Sequence, residues 1–170
     1  MNPADKDTLL ADEALIIRHA GEIPEIAFHS ALHYLTSDPD GPGLTLEPAE
    51  IRGLEEEVIA RYREILRRDL DPVNRGLRIY RGIRRCIWNW ERLGKFLKRQ
   101  GRPEPPGLRE EMAGRLAAFL ENEAREICPG RRASSLNCTA AELAAFCQLL
   151  GIAAGQLPAG WLDLCPPVAD

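Results

Sequence analysis

From Pro48 to Leu70 the apolar residues Ile51, Leu54, Val58, Tyr62, Ile65 and Leu66 recur at intervals of three, four and one. That spacing lines one face of an α-helix and is incompatible with the alternation of a half-buried strand. The same periodicity returns wherever the chain is free of breakers. Residues 8 to 20 read as a first helix with Leu9, Leu10, Leu15 and Ile16 on its apolar side, closed by Gly21. Pro24 suits the first position of a second helix reaching Thr36. The run from Ser37 to Gly43 is a loop, and Asp71-Pro72-Val73-Asn74 ends the third helix, with Asn74 as the N-cap of a fourth from Arg75 to Arg102. Leu108, Met112, Leu116, Phe119, Leu120 and Ile127 mark a fifth helix, stopped at Cys128-Pro129-Gly130. Thr139-Ala140-Ala141-Glu142 is a capping box for a sixth, which runs to Leu150 before Gly151.

The expected fold is therefore all-α: about six amphipathic helices in one bundle-like domain, residues 1–170, with an irregular C-terminal tail and a short turn near Gly160-Trp161-Leu162. No βαβ alternation and no repeat of 20 to 50 residues is visible. A length of 170 residues with 45% apolar content suits one real hydrophobic core. The stiff segment Arg102-Pro103-Glu104-Pro105-Pro106-Gly107 marks a boundary between subdomains 1–102 and 107–170, which are expected to share that core.

The fourth helix is unusual in its charge. Residues 75–102 hold ten bases, Arg75, Arg78, Arg81, Arg84, Arg85, Arg92, Lys95, Lys98, Arg99 and Arg102, against Glu91 as the one acid. On a helical wheel most of them share one arc with Trp88 near its middle, while Ile79, Ile83, Cys86, Ile87, Trp90, Leu93 and Leu97 line the other. Residues 1–60, by contrast, hold thirteen acids and the bases Lys6, Arg18 and Arg52. The chain is thus strongly dipolar although its net charge is only −4. Internal pairing of the acidic helices with the basic one is the plain structural explanation. The functional one is a docking surface formed by Arg81, Arg84, Arg85, Trp88, Arg92 and Lys95. The partner expected on that face is an acidic protein surface or a second copy of the chain. Single-stranded nucleic acid is the alternative, since Lys and Arg neutralise phosphates and an aromatic ring stacks on bases, though an acidic chain lacks the usual overall basic footprint.

Other constellations carry less. Glu25, His29 and His33 follow at i, i+4 and i+8, so a divalent metal in a helix bundle is a third reading, without the His-Glu-x-x-His pattern that adds a general base. Cys128, Cys138, Cys147 and Cys165 lack the Cys-x-x-Cys pairs that identify zinc or iron–sulfur sites, and Cys86 and Cys147 fall on apolar arcs as small core residues. The segment 139–152 resembles the first half of a helix-turn-helix, but the Gly- and Pro-broken, uncharged stretch after it rejects that unit. No phosphate-binding glycine loop and no nucleophile elbow is present, which weighs against an enzyme. An odd number of cysteines, no export signal and no apolar run of membrane-spanning length point to a cytoplasmic chain with reduced thiols and no membrane segment; no cofactor is expected, with a divalent metal as the alternative and an iron–sulfur cluster disfavoured.

Overall fold

The computed structural model describes residues 3–71, 82–126, 136 and 138–165. Among the described residues the chain is all-α, with no strand. Six helices follow in order: α1 Pro3–Arg18, α2 Pro24–Thr36, α3 Pro48–Asp69, α4 Ile83–Arg99, α5 Leu108–Glu126 and α6 Ala140–Leu149. Short 3-10 turns follow at Ala154–Gln156 and Trp161–Leu164. The expected N-cap Asn74 and the stretch before Gly82 lie outside the described residues.

Contacts group into two compact units, Met1–Glu64 and Ile65–Asp170, so the division falls within α3 and not at the proline-rich connector. In the first unit α1 packs on α2. Ile17, Phe28, Ala31, Leu35, Leu54, Val58 and Tyr62 are almost completely buried there. The apolar side of α1 differs from the expected one. Ile17 is fully buried, whereas Leu15 and Ile16 are 58% and 56% exposed. Polar contacts tie the unit together: Lys6 Nζ lies 2.8 Å from Glu50, Arg18 lies 3.3 Å from Glu57 and 3.4 Å from Glu64, and Arg61 Nε donates to the Ala20 carbonyl beyond the end of α1 at 2.6 Å.

The second unit is built on the end of α3 and on α4, α5 and α6. Leu66, Ile83, Cys86, Leu108, Met112, Leu116, Leu120 and Leu143 are fully buried in it. Trp90 meets Phe146 edge to face, with ring centroids 6.3 Å apart, and the Arg109 guanidinium carbon lies over the Trp90 ring at 5.8 Å from its centroid. Arg109 also donates to the Leu149 carbonyl near the end of α6. Arg67 and Arg115 both bond Glu111, with Arg67 Nη2 at 3.1 Å and Arg115 Nε at 3.1 Å.

Two glycines set the helix ends. Gly101 has φ +63° and Gly151 φ +73°. In each case the chain closes with a pair of reversed hydrogen bonds, Arg102 N to Leu97 O and Gly101 N to Lys98 O after α4, Ile152 N to Cys147 O and Gly151 N to Gln148 O after α6. A side chain at a left-handed position is strained, which is why glycine ends these helices so reliably. This closure stops α4 at Arg99, short of the expected Arg102.

Two substitutions test the packing. Leu116→Ala removes a fully buried side chain and is expected to lower stability by about 2–5 kcal/mol in chemical denaturation. Tyr62→Phe removes the hydroxyl that donates to the buried Glu25 carboxylate and is expected to cost about 1–3 kcal/mol.

Candidate functional site

The buried arc of α4 is Ile83, Cys86, Asn89, Trp90, Leu93, Phe96 and Leu97. Against expectation Ile87 is only half-buried, and two residues missed in the sequence, Asn89 and Phe96, belong to the buried side. Asn89 is fully buried and its amide donates to Asp69 at 2.8 Å. Position 89 lies three residues after Cys86 and four before Leu93, so a polar residue on an apolar arc was the available signal.

The opposite arc carries the expected surface. Arg85 and Arg92 lie one turn before and one turn after Trp88, and their guanidinium carbons sit 4.3 and 4.7 Å from the Trp88 ring centroid. Trp88 is half-buried, as are both arginines, while Lys95, Lys98 and Arg99 are exposed. Burial, with the Arg92 charge second, pulls the Arg85 guanidinium below its usual value. Each cation favours the electron-rich ring face, and the ring holds together two charges that otherwise repel. Arg84 has a separate contact: it is 3.4 Å from Glu142, the residue that completes the Thr139 capping box of α6. It pins α4 to α6 and is less suited to an external partner than Arg85, Trp88, Arg92 and Lys95. Arg81 lies outside the described residues.

The Glu25, His29 and His33 stripe is divided. Glu25 is buried against Tyr62, whereas His29 and His33 are exposed. Among the described residues no three His, Cys, Asp or Glu side chains form a group able to hold a metal. Cys86, Cys138, Cys147 and Cys165 are free, buried thiols; Cys128 lies outside the described residues. The Cys138 thiol is hydrogen-bonded to Cys165, and burial, reinforced by Cys165, pushes Cys138 up to about 12. Burial and Cys165 likewise push Cys147 up to about 11.

These features define an all-α protein with a basic, aromatic helix face. The chain belongs to the family described as a repeat of unknown function (DUF7826), whose model matches residues 5–152. No curated protein and no solved structure matches it.

Two outcomes follow from this geometry. Trp88→Ala is expected to cost clearly less than the about 3–5 kcal/mol of a core tryptophan, because the ring is half-buried and two of its contacts are flexible arginines. The buried thiols have a pH signature. A thiol whose folded pKa is raised contributes stability that is fully present below the unfolded value of about 8.5 and is lost as pH climbs toward the folded value. Denaturation midpoints are therefore expected to fall between about pH 8.5 and 12, and Cys138→Ala should flatten that slope.

Proposed function

We propose that this chain is a helical binding module that docks an acidic protein surface on the α4 face formed by Arg85, Trp88, Arg92 and Lys95. The observation that carries the reading is the pair of guanidinium groups laid on Trp88. Contact with the ring restrains the two arginines, so less conformational entropy is lost when a partner meets the charged face. The same stacking supports an acidic protein over single-stranded nucleic acid, because a base would compete with a guanidinium for the indole face. A family described as a repeat favours protein-to-protein association between copies as well. The free thiols at the described cysteines support a cytoplasmic setting. No helix among the described residues is long and apolar enough to cross a membrane.

The test is a titration of the protein with polyglutamate and with an oligothymidylate of matched charge, for the native chain and for Arg92→Glu/Lys95→Glu. Polyglutamate is expected to bind the native chain and to bind the variant at least about tenfold more weakly, a difference of about 1.4 kcal/mol, with the helical circular dichroism unchanged. Equal affinity for both chains contradicts the reading, and tighter binding of the oligothymidylate replaces it with nucleic-acid recognition.

A further inference from the structure

The outward arc of α1 has a composition complementary to α4. Asp5 and Asp12 are exposed on it, followed by Leu15 and Ile16, which are exposed although the sequence pattern assigns them to a core. Burial, with the neighbouring Asp12 charge second, raises Glu13 above its ordinary value. The inward positions Lys6, Leu10 and Ile17 are engaged within their own unit, with Lys6 held by Glu50 and the Thr45 carbonyl. Two large aliphatic side chains side by side in water are a feature that association covers.

The spacing of the two arcs matches. Asp5 precedes Ile16 by eleven residues and Trp88 precedes Arg99 by eleven, about 16 Å in each helix at 1.5 Å per residue. Laid antiparallel, an α1 from one molecule brings Ile16 to Trp88, Asp12 to Arg92 and Asp5 to Arg99 of another. The apolar end meets the aromatic ring and each acid meets a base. The reverse direction places Leu15 and Ile16 on Lys98 and Arg99 and Asp5 beside Trp88, leaving Asp12 against Lys95 as its one acid–base match.

We propose that the acidic partner of α4 is a second copy of this chain, bound through the exposed Asp5, Asp12, Leu15 and Ile16 arc of its α1. This deepens, and rests on, the reading of α4 as a docking face. The contact joins two different surfaces, so it is head-to-tail and extends along a row of copies. A weak contact suffices where copies are tethered, because a short linker supplies an effective concentration in the millimolar range.

The experiment is sedimentation equilibrium of the full chain over a concentration series up to about 1 mM, at low and high salt. It is run with two charge-reversed variants, Asp5→Arg/Asp12→Arg and Lys95→Glu/Arg99→Glu. The native chain is expected to gain mass with concentration and to lose that gain in high salt. Each variant by itself is expected to stay monomeric, since its two arcs then carry like charge. An equimolar mixture of the two is expected to form mixed dimers, because the native α1 of the Lys95→Glu/Arg99→Glu chain meets the native α4 of the Asp5→Arg/Asp12→Arg chain. A native chain that is monomeric throughout but binds polyglutamate through Lys95 overturns the self-partner while leaving the docking face standing. Association that survives the Asp5→Arg/Asp12→Arg change overturns the role of α1, and association together with polyglutamate binding that survive Lys95→Glu/Arg99→Glu overturn the docking face itself.

Discussion

A guanidinium that lies on an indole ring gives up part of its water, and two of them on one ring must also bear each other's charge. Arg85 and Arg92 accept both costs at Trp88, and the drop in the Arg85 pKa records them. The ring's negative faces offset the repulsion, and the apolar arc of α4 beneath it fixes the helix in place. That arc, from Ile83 to Leu97, is buried against the rest of its unit, so α4 cannot turn its charged side inward without exposing its core side. The basic face is a consequence of how the helix is anchored. The same anchoring holds that face in a fixed position on its unit.

The anchoring is itself cross-braced. Trp90 against Phe146, Arg84 against Glu142 and Arg109 against the Leu149 carbonyl all connect α4 or its neighbours to α6. Glu142 serves both the capping box and Arg84, which holds its carboxyl below the ordinary range, the Thr139 backbone bond being the largest cause. A capped helix start and an interhelical ion pair thereby share one side chain. Loss of that carboxylate weakens both at once.

Much of this was legible in the sequence because the breakers are strong. Pro24, Pro48, the Thr139-Glu142 box and Gly151 each act through local backbone chemistry, which needs no knowledge of the rest of the fold, whereas the sequence pattern reads through the stop at Gly101. The boundaries of α2 and the start of α3 followed directly. The orientation of α1 did not. Leu9 and Ile16 are seven residues apart, and so are Leu10 and Ile17, so two arcs about 100° apart compete for the core and only packing against α2 selects Ile17. Glu25 likewise reads as a polar stripe with His29 and His33 until Tyr62, 37 residues away, supplies its donor. The gathering of Cys138, Cys147 and Cys165 is a long-range fact of the same kind, invisible in gaps of nine and eighteen residues.

The accessibility and local charge of Trp88 test the central claim most directly. In a Trp90→Phe/Trp161→Phe chain the remaining indole reports alone, and its fluorescence can be quenched with iodide and with caesium. An accessible ring between two guanidinium groups predicts ready quenching by the anion and much weaker quenching by the cation, with the difference fading as salt screens the field. A ring that neither ion reaches, or that both quench equally at low salt, contradicts the account of α4 as an exposed basic docking face.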